Sequence, residues 1–218
     1  MTDFDMARRN MVDNQLRTNK ITDARLIAAM LAVPREKFVP DYLRGVAYVD
    51  EDVAIGADRW LMEPMVLARM LQAAEIGPND VVLDIGAGTG YGAAVCSRLG
   101  ATVVALESDP DMLAQSQRIL SEFGADNVVA VEGALKQGYP QQAPYDVIVI
   151  SGAVEEIPEG ILRQLSPNGR LVAVVAERGR APSARLARNC DGRIGFMTIC
   201  DASVPCLPGF EVEPGFVF

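Results

Sequence analysis

Val81-Val82-Leu83-Asp84-Ile85-Gly86-Ala87-Gly88-Thr89-Gly90-Tyr91 decides the fold. Five mostly apolar residues, rich in β-branched side chains, read as a buried strand. Three glycines at alternate positions then force a tight turn, and an apolar segment from Gly92 to Leu99 follows at helical spacing. Strand, glycine turn and helix bring backbone N–H groups and a helix N-terminus up to a ligand. The stretch therefore marks the seat of a nucleotide-like cofactor.

The same alternation continues outward. Apolar strands are predicted over 102–106, 127–131, 145–150 and 171–176. Asp109 and Pro110 open a helix that runs to Phe123, with Gly124 as its stop. A second helix is predicted over 158–165. Strands alternating with helices of this length make βαβ units and a parallel sheet. In the tail, segments 185–190 and 193–200 flank Asp191-Gly192, a two-residue hairpin signal. Before the alternation the chain is helical: a first helix over 3–17, a second capped by Thr22, a short one over 41–46, and one opened by Pro64. Between them, 50–60 reads as loop with one short strand. The expected architecture is α/β, a doubly wound and mostly parallel sheet. A helical cap over 1–75 precedes the core, and an antiparallel C-terminal hairpin ends it. The core over 76–218 and the cap form one compact unit.

Composition narrows the chemistry. Of 218 residues, 20 are basic and 29 acidic, a net charge of −9 that argues against nucleic acid held by phosphate contacts. No apolar run approaches the roughly 20 residues of a membrane helix. No secretory signal stands at the N-terminus, so a cytoplasmic protein is expected. The four cysteines lack a CxxC pair and read as reduced thiols. There is no histidine, which removes the commonest general base and metal ligand. No metal site is expected.

Two cofactor types use such a turn. The frame from Gly86 is GxGxG, while the frame from Gly88 satisfies a dinucleotide pattern through Gly90 and Ala93. Glu107 ends the next predicted strand about 20 residues on, where a carboxylate accepts from both ribose hydroxyls. From these residues alone an S-adenosylmethionine site is favoured, with a dinucleotide site and a purely structural turn still open.

Longer segments carry a family resemblance. Met11-Val12-Asp13-Asn14-Gln15-Leu16, Val33-Pro34-Arg35-Glu36-Lys37-Phe38-Val39-Pro40, the glycine stretch, Gly138-Tyr139-Pro140, Gly169-Arg170-Leu171-Val172 and Val204-Pro205-Cys206-Leu207 all contribute. Together they resemble the protein-L-isoaspartate O-methyltransferase family over nearly the whole chain. The resemblance implies a class I, Rossmann-like methyltransferase fold, S-adenosyl-L-methionine as donor, and methyl esterification of isoaspartyl carboxylates in damaged proteins or peptides. It implies a cofactor site at Asp84, Gly86, Ala87, Gly88, Gly90, Glu107, Ala134 and Leu135. Its aligned segment puts Met62 and Pro64 on the substrate side and singles out no catalytic residue; Arg59, as a charge that could offset Glu63, and Trp60, as a pocket or loop residue, are further substrate-side candidates. The oligomeric state is left open. A carboxylate acceptor is already ionised near pH 7. It needs alignment rather than a base, which suits a chain without histidine.

Three segments depart from the family pattern. Where the family has Thr-Ile-Ser-x-Pro-His, this chain has Trp60-Leu61-Met62-Glu63-Pro64-Met65, so Met62 stands at the serine position. Where it has Gly-Asp-Gly, whose acid meets the adenine amino group, the chain has Gly133-Ala134-Leu135. Val174-Val175-Ala176 replaces Pro-Val-Gly. Three readings follow: an isoaspartyl methyltransferase with an altered pocket, a class I methyltransferase with a less anionic acceptor, and a non-catalytic interaction protein on the same fold.

Overall fold

Strands buried on both faces must be apolar throughout, and this rule builds the centre of the molecule. The computed structural model describes residues 3–210; residues 1, 2 and 211–218, the tail of the region read as the core, lie outside the described residues. In chain order the elements are α1 (Phe4–Met11), α2 (Ala24–Ala32), β1 (Val53–Gly56), β2 (Arg59–Leu61), α3 (Pro64–Ala74), β3 (Val81–Ile85), α4 (Tyr91–Ser97) and β4 (Thr102–Glu107). Then come α5 (Pro110–Phe123), β5 (Val128–Glu132), β6 (Tyr145–Val154), α6 (Glu159–Leu162), β7 (Leu165–Val175), β8 (Ser183–Cys190) and β9 (Arg193–Asp201). The main sheet runs β5-β4-β3-β6-β7-β8-β9, parallel from β5 to β7 and antiparallel beyond. Successive residues of β3 face opposite sides. Val82 joins a core with Leu67, Ala94 and Val95, while Leu83 and Ile85 join one with Tyr145, Ile161 and Phe210.

Local signals explain most boundaries. Asp109 caps α5 by accepting from Met112 N at 2.8 Å, and Gly124 ends it at φ +74°. Asp191 and Gly192 both take positive φ, +52° and +86°, the twist an antiparallel two-residue hairpin needs. Three expectations differ. Asp23 rather than Thr22 caps α2, because its carboxylate accepts from both Arg25 N and Leu26 N. The predicted helix over 158–165 shortens to α6, since Leu165 is already paired with Tyr145 at the start of β7. Segment 50–60 holds parts of two strands, not one: β1 and β2 form a separate two-stranded antiparallel sheet.

The segment around Pro34 ties this small sheet to the main one. Arg35 is fully buried. Its Nε donates to Ala47 O at 2.6 Å and its Nη2 to Met62 O at 2.8 Å. Its guanidinium lies 4.9 Å from the centre of the Tyr91 ring on α4. Phe38 packs edge-on against the same ring, with centroids 5.5 Å apart. No helix among the described residues is long and apolar enough to cross a membrane. Replacing Arg35 by Met keeps the volume but strands the Ala47 and Met62 carbonyls. Arg35→Met should therefore lower stability in urea unfolding by roughly 2–4 kcal/mol.

Candidate functional site

The site lies where the strand order reverses. β3 pairs with β4 on one side and β6 on the other. The crevice beyond their carboxyl ends is where open α/β sheets bind ligands. Gly86, Gly88 and Gly90 take φ of +75°, +57° and +94°, a conformation L side chains rarely adopt. The turn is pinned from below by Gly86 N and Ala87 N, which donate to Leu106 O at 2.9 and 3.1 Å. From the side, Thr89 Oγ1 donates to Phe38 O at 2.6 Å.

Asp84 sits beneath this turn with no solvent exposure. Its Oδ1 accepts from Ser151 Oγ at 2.5 Å, and its Oδ2 makes no hydrogen bond of good geometry. Gly92 allows the close approach, since a Cβ there would lie 2.9 Å from Oδ2. Burial pushes the Asp84 carboxyl up to about 6, with Glu107 adding to the rise; Ser151 and the Ala93 N–H pull the other way.

Glu107, at the end of β4, is buried and fully engaged. Its Oε2 accepts from Gly88 N at 2.9 Å, and its Oε1 from Ser108 N at 2.7 Å and Asp109 N at 3.1 Å. Arg59 supplies two further bonds, Nη2 to Oε1 at 2.7 Å and Nε to Oε2 at 3.2 Å. Arg59, expected beside the substrate, is thus directed to Glu107 and buried, with its Nη2 also 2.9 Å from Ser108 Oγ.

The remaining candidates divide. Met62 is buried and Trp60 is 42% exposed; both border a cavity of about 10 Å³ shared with Ser151 and Gly152. That volume is about one water probe. Pro64 opens α3 as its first residue. Next to it, the Glu63 carboxyl is pushed up to about 7, by burial first and then by Asp50 and Asp52. Leu135 is buried and Ala134 exposed. Ala134 presents a methyl group where the resemblance puts an acid.

Two residues not among the candidates shape the site. A Cβ on Gly88 would lie 2.8 Å from Ile55 Cδ1, and one on Gly86 2.9 Å from Leu207 Cδ1 and Cδ2. Leu207 also lies 2.6 Å from a Cβ placed on Gly152, so it wedges between the ends of β3 and β6. No motif pointed to Ile55, while Leu207 lay in the closing segment of the resemblance. The donor set fits an adenosyl cofactor: a carboxylate with an orphan oxygen under the turn, a side-chain-free cradle, and a carboxylate at the next strand end. In this conformation the chain's own side chains lie in that cradle.

Comparison with known proteins finds relatives over most of the chain. The family model described as Protein-L-isoaspartate(D-aspartate) O-methyltransferase (PCMT) matches residues 6–203. The chain is 40% identical over 187 residues to a protein-L-isoaspartate O-methyltransferase of Methanoculleus marisnigri, covering 86% of this chain and 84% of the relative. It is 38% identical over 208 residues to that of Roseiflexus castenholzii, covering 95% and 94%. A solved protein-L-isoaspartate O-methyltransferase superposes with a TM-score of 0.82 at 26% identity, over 93% of this chain and 66% of that one. A Plasmodium falciparum structure solved with S-adenosyl-L-homocysteine shares the fold, with a TM-score of 0.78 at 19% identity over 94% and 97%.

The Asp84 carboxyl gives a pH signature. Its folded pKa lies above the unfolded value near 3.9. The protonated group therefore favours the fold, and this contribution is complete below about pH 4 and lost as pH rises through about 6. Asp84→Asn removes the loss. Urea unfolding should show the variant gaining about 2–3 kcal/mol relative to wild type between pH 4 and pH 7.5. A difference that stays constant with pH would contradict the shift.

Proposed function

The chain belongs to the protein-L-isoaspartate O-methyltransferase family, and from that membership we propose that it methylates the free carboxylate of isoaspartyl residues in proteins or peptides. S-adenosyl-L-methionine is the family's methyl donor, supplying an electrophilic methyl group on a sulfonium. The observation that carries the reading is the glycine turn set between Asp84 and Glu107, on a chain matched to the family over residues 6–203.

The residues divide the task. We assign Asp84 and the Gly86–Gly90 turn to the amino-acid end of the donor, and Glu107 to its ribose. Ala134 and Leu135 border the adenine without offering a side-chain acceptor. Trp60, Met62 and Pro64 border the acceptor. Met62 offers no hydroxyl to that acceptor, so orientation falls to backbone groups of 61–63, which Arg35 holds through Leu61 O and Met62 O. The acceptor carboxylate carries its own negative charge and no proton has to be moved. The chain's contribution is alignment and exclusion of water. Cytoplasmic residence belongs to the same proposal; Cys96, Cys190 and Cys200 carry free thiols, as a reducing compartment keeps them.

Methyl transfer from labelled donor to a peptide containing one isoaspartyl residue, and not to its aspartyl twin, is the expected result. Transfer to neither peptide would overturn the proposal. Met62→Ser restores a donor near the acceptor and should raise kcat/KM about tenfold, the worth of one added hydrogen bond to a charged group.

Glu63 adds a second dependence. Its carboxyl titrates at about 7, so it is neutral below and charged above that pH. KM for the anionic peptide should rise severalfold between pH 6 and 8, and Glu63→Gln should flatten that rise in steady-state assays.

A further inference from the structure

Glu107 is the group on which ribose recognition would depend, and nothing of it is left to give. A carboxylate offers about four lone-pair sites. Five donors from Arg59, Gly88, Ser108 and Asp109 already lie within 3.2 Å. Three of those donors are backbone groups of the glycine turn and the start of α5, fixed by the main sheet. The other two belong to Arg59, and Arg59 sits on a different kind of element. β1 and β2 have four and three residues and pair only with each other. A lone two-stranded hairpin is marginal without something to dock on. Its connection passes through Ala57 and Asp58 at φ +49° and +52°, positions without glycine. The same hairpin sends Ile55 over Gly88. One short element outside the main sheet therefore covers both the turn and the carboxylate.

We propose that the β1–β2 hairpin is a built-in competitor for the adenosyl site, with Arg59 taking the Glu107 carboxylate that a ribose diol requires, so that the donor binds only by displacing Arg59. Arg59 is in this sense an affinity-determining residue that acts through Glu107. The inference rests on the adenosyl reading of the site given above. No bond to carbon or hydrogen is made or broken; one ion pair exchanges for two hydroxyl hydrogen bonds. The exchange leaves a guanidinium to be rehoused, and Asp58, next to Arg59 in the connection, offers it an exposed carboxylate.

The hairpin carries its own reporter. Trp60 is the only tryptophan of the chain, adjacent to Arg59 and partly exposed. The test uses the full chain and S-adenosyl-L-homocysteine as probe. Calorimetric titration of wild type and Arg59→Gln is run beside Trp60 emission. Arg59→Gln should bind the probe at least tenfold more tightly, and in wild type the Trp60 emission should shift along the same saturation curve as the heat. Arg59→Lys, which keeps the charge but loses the bidentate fork, should fall between the two. Equal affinity in wild type and Arg59→Gln overturns the competitor and leaves the adenosyl reading standing. Saturation of wild type without a change at Trp60 does the same. No binding by any of the three proteins up to millimolar probe overturns both. Should Arg59→Gln fail to fold, the wild-type comparison of heat against emission still decides.

Discussion

A carboxylate taken out of water has to be answered by donors, and Glu107 sets that demand at the centre of this molecule. Leaving such a group without partners costs far more than any single contact repays. The chain answers with backbone N–H groups from the glycine turn and the start of α5, and with a guanidinium from the β1–β2 hairpin. This satisfaction, together with Val53, Ile55 and Leu61 buried in the main core, seats the hairpin. Removing one partner of a buried pair typically costs about 3–5 kcal/mol, while the pair as a whole adds little net stability. The interaction thus specifies position more than it stabilises: it fixes where the Arg59 side chain of β2 lies.

The N-terminal segment completes the arrangement from the other side. Arg35 is a buried cation with no carboxylate among its hydrogen-bond partners, and burial lowers its pKa from the usual arginine value. It is tolerated because carbonyl oxygens and the face of Tyr91 receive it. Through those contacts the position of Met62 is coupled to the helix that follows the glycine turn. Thr89, held by the Phe38 carbonyl, couples the turn itself to the same segment. Residues 33–40 act as a clamp across turn, hairpin and α4, which gives a physical reason for their place in the family pattern.

Elements with a strong local cause were legible in the sequence. α5 has an acid cap, proline at its first position and glycine at its end, and the structure reproduces 110–123. The parallel strands were legible from continuous Val, Ile and Leu, and the final hairpin from Asp191-Gly192. What escaped was set by tertiary packing. β1 and β2 are too short for a periodic signal, and Ala57-Asp58 is no turn signature. The direction of Arg59 is a property of Glu107, which lies 48 residues away. Leu207 fills the crevice only because Gly86 and Gly152 are brought together by neighbouring strands. Within the candidate site, then, the residue types beneath the turn were readable, while the side chains lying over it were not.

Two of the departures from the family pattern, and one contact of the β1–β2 hairpin, act in one direction under the proposed reading. On the proposed assignment, Ala134 removes an acceptor at the adenine side and Met62 removes a donor at the acceptor side, while Arg59, itself no departure, pairs with the Glu107 carboxylate. The first two lower what a ligand gains by entering; the last, on the proposed competition, adds a contact that entry has to break. Apparent affinity is the intrinsic affinity multiplied by the fraction of molecules that are open. A closed form favoured by only about 1.4 kcal/mol already costs a factor of ten. Ile55 and Leu207 lie against the glycine turn and Arg59 against Glu107, contacts that a donor entering there would have to exchange. On the proposed competition, loading of the site rises with donor concentration. The substituted positions and the opposing contact are therefore distinct: Ala134 and Met62 lower what a ligand gains, while Arg59 sets what it has to displace.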